Sequence, residues 1–180
     1  TAVGFQAAKA VTTGVQNTIV GGLAGDALTT GSENTALGYQ AMTNANSTES
    51  RNVAIGAYAL QGLDNGSTTN TYNVAVGYSA GILISTGTAN TLIGGHAGDA
   101  LVGGQSNTVV GYNALSAETG GSQNTAIGIE ALKVSDGGSN NVAVGRSCGI
   151  AVSTGDNNTL IGTNAGDALT TGSGNIVIGQ

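Results

Sequence analysis

Proline and tryptophan are absent from all 180 residues, and cations are nearly so: Lys9, Arg51, Lys133 and Arg146 are the only ones, against a net charge of −6. With no basic stripe to neutralise a phosphate backbone, nucleic acid is not an expected partner. No apolar run approaches the roughly 20 residues of a membrane-spanning helix, and no charged leader with an apolar stretch opens the sequence. Membrane insertion is therefore not expected of this stretch. A single cysteine, Cys148, excludes an intrachain disulfide. Five tyrosines and one phenylalanine cannot furnish a core of large rings, so small side chains must do the packing. The aliphatic content and the lack of charge runs argue against disorder despite 32 glycines.

What the chain does have is a cassette, Asn-Thr/Val-aliphatic-aliphatic-Gly, repeated ten times. Its asparagines are Asn17, Asn34, Asn52, Asn73, Asn90, Asn107, Asn124, Asn141, Asn158 and Asn175, with a partial copy at Thr1 to Gly4. Their spacings are 17, 18, 21 and then 17 six times. Self-similarity at a short fixed period marks a solenoid, a stack of coils. The β-branched run between Asn and Gly predicts a short strand. A second segment, such as Ala27 to Thr30 or Ile82 to Ser85, predicts another, with turns of Gly, Asn, Ser and Asp between them. The expected fold is all-β: a parallel β-solenoid, or β-roll, of about eleven 17-residue coils spanning roughly 50 Å at the sheet spacing. Residues 1–180 read as a single repeat domain, a segment of a longer protein, with a corner insertion at 61–72. In register, the ten asparagines form one structural ladder in which each amide can bond the next.

Side chains alternate across a strand. One face carries the residue before glycine, always aliphatic, from Val3 and Val20 to Ile178; the other carries Ala2, Ile19, Ala36, Ala54, Ala75, Leu92, Val109, Ala126, Ala143, Leu160 and Val177, none polar. Both faces are expected to be dry, yet a two-strand coil has one interior. Eleven aliphatic side chains at roughly 1.5 to 3 kcal/mol each cannot offset the backbone entropy of 180 residues. The second face, with Leu92 and Leu160, is therefore expected to pack against further copies in a homotrimer, three being the natural number for a thin triangular fibre. Ala24 to Leu28 returns at Ala97 to Leu101 and Ala165 to Leu169, a four-coil superperiod in which Ile19, Leu92 and Leu160 trade volume with Gly25, Gly98 and Gly166.

Asn34 to Met42, Asn107 to Leu115 and Asn124 to Leu132 resemble the Asn-Thr-Ala-Val-Gly-Tyr-Gln-Ala-Leu repeats of bacteriophage tail fibres. Asn140 to Gly145 is similar to the Asn-Ser-Val-Ala-Ile-Gly head repeat of trimeric autotransporter adhesins. The resemblance covers essentially the whole chain. It implies a left-handed β-roll, three chains side by side, and a structural role in attachment on a virion or a bacterial surface. The 17-residue period is longer than the adhesin repeat, and the superperiod lies outside that family's pattern.

No arrangement of residues predicts catalysis, a cofactor or a metal site. His96, in a variable column, reads as an ordinary surface histidine. Asp26, Asp99 and Asp167 recur four coils apart, too far to share one calcium, and read as solvated corner residues. Cys148 stands where other coils carry alanine and reads as a buried small hydrophobe. The insertion offers a candidate contact loop, Asp64, Asn65, Thr69, Asn70 and Tyr72, for a host cell-surface receptor or a neighbouring fibre protein. The expected function is a stiff trimeric shaft segment of a phage tail fibre with a part in host attachment. The alternatives are an adhesin head or other extracellular filament and, remotely, an ice-binding solenoid whose threonine column (Thr18, Thr35, Thr91 and others) is expected on a buried face.

Overall fold

The computed structural model describes residues 1–44, 48–64, 66 and 70–180. Each cassette forms one short strand: β1 Ala2–Val3, β2 Thr18–Val20, β3 Thr35–Leu37, β4 Val53–Ile55, β5 Val74–Val76 and β6 Thr91–Ile93. The series continues with β7 Thr108–Val110, β8 Thr125–Ile127, β9 Val142–Val144, β10 Thr159–Ile161 and β11 Ile176–Ile178. All eleven join one parallel sheet in sequence order. Equivalent residues pair throughout, as in Thr91 with Thr108, Leu92 with Val109 and Ile93 with Val110. The chain is an all-β parallel solenoid, one strand to a coil.

The strands stop after two or three residues because the cassette glycines have φ between 128° and 145°, a range that glycine alone enters readily. Stacking enforces the same choice, since a Cβ on Gly111 would run into the carbonyl oxygen of Gly128 in the next coil. Counting the cassette Asn as position 1, positions 7 and 9 and the residue just before the next cassette Asn take left-handed backbone angles in each complete coil. His96, Gly98 and Ser106 do so in one coil, and Asn113, Leu115 and Gln123 in the next. For a leucine such as Leu115 that costs about 1 kcal/mol, which full burial of the side chain offsets.

Here the structure corrects the expectation of two strands per coil. Ala27 to Thr30 and Ile82 to Ser85 are turns and bends. The left-handed residues curl this return segment too tightly for strand geometry. Coils nevertheless remain bonded there, through Gly98 N–H to Ala114 O at 3.0 Å and Leu115 N–H to Ala131 O at 2.9 Å.

The asparagine ladder forms, and it does more than link coils. Asn124 Oδ1 accepts from the backbone N–H of Asn141 at 3.0 Å, while its Nδ2 donates across its own coil to Gly138 O at 2.8 Å. Direct amide-to-amide bonds join Asn90 to Asn73 and Asn107 to Asn90, both at 3.1 Å. From Asn34 to Asn158 every cassette asparagine is essentially sealed from solvent. Asn124→Ala orphans one buried N–H and one buried carbonyl. We expect a loss of about 3 kcal/mol, measurable by denaturant titration of the purified chain.

The burial of the two strand faces departs from expectation. Ile19, Leu92 and Leu160 are 0 to 1 % exposed within a single chain. They lie inside the coil, not between copies. The column of residues before glycine, read as the coil's own core, points outward: Leu37, Ile93, Ile127 and Ile161 are 37 to 44 % exposed. The coil interior is instead filled by the middle strand residue, the position 8 alanines and position 12 residues such as Leu28, Leu63, Ile84, Leu101 and Val152.

Volume exchange between layers is borne out. A Cβ on Gly98 would lie 3.0 Å from Leu92 Cδ2, and one on Gly81, a coil earlier, 2.7 Å from Leu92 Cδ1. Leu160 sits likewise against Gly166 and Gly149. One leucine fills the space of two glycine layers.

Candidate functional site

Because the sheet is parallel and in register, its outward side chains form straight rows. One row holds position 2: Thr18, Thr35, Val53, Val74, Thr91, Thr108, Thr125, Val142, Thr159 and Ile176. The other holds position 4, aliphatic in every coil. All of these side chains are half-buried or exposed, and neither row contains a charged or amide side chain. The face is about 50 Å long and about 10 Å wide, on the order of 500 Å² and at the upper end of what a soluble monomer leaves open. The threonine column thus lies on the open face, opposite to its expected place.

Along the corner following β3 to β7 stands a feature that sequence reasoning missed. Tyr39, Tyr58, Tyr78, His96 and Tyr112 form a continuous column with ring centroids 5.4 to 6.2 Å apart, each ring steeply inclined to the next. Rings alternate between positions 6 and 7. Where position 7 carries the ring, position 6 is Ala57 or Gly95, which leaves room for it. The signal was legible in that alternation, but only once the coil angles place the two positions on one line. His96 is accordingly half-buried, held between Tyr78 and Tyr112 with its Nδ1 3.0 Å from Asp99 Oδ2. It is not the free surface histidine expected.

The three recurring aspartates remain apart, four coils from one another. Asp167 is exposed as expected, whereas Asp26 and Asp99 are half-buried; Asp99 Oδ1 is sealed with no hydrogen-bond partner. Among the described residues no group of three His, Cys, Asp or Glu side chains could hold a metal ion. Nor, among the described residues, is any helix long and apolar enough to cross a membrane.

Of the candidate contact loop, Asn65 and Thr69 lie outside the described residues. Asp64 accepts from the Gly66 N–H at 3.2 Å, and Asn70 makes an isolated parallel bridge with Ser50. Tyr72 belongs to the adjoining corner: its hydroxyl accepts from Arg51 Nη1 at 2.7 Å, and Arg51 Nε binds Glu33 at 3.1 Å. Just before the next cassette, Thr71 Oγ1 donates to Asn52 Oδ1 at 2.7 Å and so joins the ladder.

Cys148 is fully buried, its Sγ 3.2 Å from the Leu160 carbonyl oxygen, and burial pushes its thiol pKa up. A thiol so placed reacts slowly. We expect a disulfide-exchange reagent to leave it unmodified in the native chain and to titrate one thiol after denaturation. Sequence reasoning also misses Glu118, buried at position 12 where most coils carry an aliphatic and the next coil carries the buried Ser135. Its Oε1 accepts from the N–H groups of Gly120 at 3.0 Å and Gly137 at 2.7 Å, and its Oε2 from Ser135 Oγ at 2.9 Å. The neighbouring turn satisfies the carboxylate, so it reads as a structural clamp.

Comparison of the chain with protein-family models, with curated proteins and with solved structures finds no match in any of the three.

Proposed function

We propose that the chain is a shaft segment of a fibre, a stiff rod in which three copies pack their open sheet faces around a common axis. The observation that carries this reading is the unbroken aliphatic row at position 4, flanked on the same face by a row of threonine, valine and isoleucine without a charge. Water leaves such a surface at a gain of about 25 cal/mol per Å², and its straightness lets identical copies meet along their whole length. The ladder of buried asparagines supplies stiffness along the rod. The number three, and the placing of the fibre on a phage tail, rest on the resemblance of Asn34 to Met42 and its sister repeats to tail-fibre sequences; a bacterial adhesin head is the alternative on the same footing. On this reading the chain performs no chemistry, and attachment to a host surface or a neighbouring fibre protein falls to side chains that the packed faces leave free.

Native mass by light scattering tests the proposal: three chains are expected, and a single chain overturns it. A second reading, ice binding, is favoured by one observation, the six outward threonines on an in-register parallel sheet. Thermal hysteresis in a monomeric sample would establish that reading and remove the first.

A further inference from the structure

The ring column at the corner after β3 to β7 lies outside the open sheet face on which the shaft reading rests, and its composition is selective. Tyr39, Tyr78 and Tyr112 are 49 to 55 % exposed, so the interior does not account for them. In a column of rings each steeply inclined to its neighbours, at least alternate rings turn a face sideways instead of along the column. Open faces therefore recur every second coil, about 10 Å apart at the sheet spacing. That interval is the length of a disaccharide unit in an extended β-1,4-linked glycan, whose alternate sugars present the same face.

The surroundings agree with a neutral sugar chain. Amides stand beside the rings, with Gln61 Nε2 donating to Gln40 Oε1 at 3.2 Å and Asn113 next to Tyr112, and the tyrosine hydroxyls add donors and acceptors for sugar hydroxyls. None of the four cations lies in the column. A single-stranded nucleic acid, which also stacks on aromatic rings, needs positive charge along them, and the column carries no cation. Mutual ring contacts hold the platform rigid, so little side-chain entropy is lost on binding.

We propose that this column is a binding platform for an extended, neutral β-linked glycan, with every second sugar stacked on Tyr39, Tyr78 and Tyr112 in turn. The platform needs one chain only and stands apart from the shaft reading.

Titration of the full chain with cellohexaose and with chitohexaose, followed by NMR or calorimetry, tests it. Saturable binding of at least one hexasaccharide is expected, weaker binding of the matching trisaccharide, and none of maltohexaose, which is helical. Each of Tyr39→Ala, Tyr78→Ala and Tyr112→Ala should weaken binding roughly three- to tenfold, while Tyr78→Phe, which keeps the ring, should hold most of the affinity. Thermal melts matching the parent confirm folded variants. Failure of both hexasaccharides to saturate, or equal affinity after all three rings are removed, overturns the proposal. Tighter binding of oligothymidine than of the hexasaccharides also overturns it, as does a fall in native mass on ring removal without sugar binding. A single-chain mass with intact glycan binding would sink the shaft reading alone.

Discussion

Leu92→Ala should cost about 4 kcal/mol, whereas Ile93→Ala, one residue along the same strand, should cost about 1 kcal/mol or less in the isolated chain. The two side chains are similar in size and chemistry and differ in direction. Leu92 is wholly buried, Ile93 40 % exposed. Truncation of Leu92 opens a cavity bordered by Gly81 and Gly98, which have no side chain to move inward, while its strand neighbour Ala75 has only a methyl. Only Val109, Leu60 and Ile84 could settle toward the void, so relaxation is partial and the cost falls in the upper part of the Leu→Ala range. Since each coil contacts only its neighbours, the loss should concentrate in the coils beginning at Asn73, Asn90 and Asn107. Native-state hydrogen exchange resolved by residue checks this: faster exchange in those coils for Leu92→Ala, and near-parental rates for Ile93→Ala. Equal effects would mean that the interior is not on the Leu92 side.

Carboxylates on the open face give the second large effect. The double variant Ile93→Glu with Ile127→Glu should leave the single coil stack folded, because both positions already face water, and should abolish side-by-side association. Packed faces would have to dehydrate two unpaired charges per chain, at several kcal/mol for each ion. That is roughly a thousandfold or more in the association constant. Sedimentation velocity should then report one chain, with an unchanged far-ultraviolet spectrum. Survival of the assembly would place the contact elsewhere on the rod, the corner bearing the tyrosines being the next surface to test.

Much of the architecture was legible because it repeats. The Asn-to-Gly cassette gave strand positions, register and the asparagine ladder, since a 17-residue period leaves stacked coils no other alignment that keeps every amide paired. Volume exchange between Leu92 and Gly98 was visible as a superperiod, and the burial of Cys148 followed from the alanines in its column. The side on which each strand face lies was not legible. Both faces are apolar, and alternation alone says that they differ without saying which is inside. Nor was the single strand per coil: it depends on left-handed angles at residues as ordinary as His96 and Leu115, which carry no signal in their identity. The tyrosine and histidine column stayed hidden for the same reason, its members falling at two different positions of the coil.

By itself, then, the sequence determined a parallel stack of coils, its register and its pairing, because these follow from periodicity and from the need to satisfy buried amides. Only the tertiary structure decided direction: which aliphatic row is core and which is surface, and which rings meet along the corner. Those outcomes depend on how the backbone curls between strands, and curvature is set by dihedral angles summed over the whole coil, not by any residue alone.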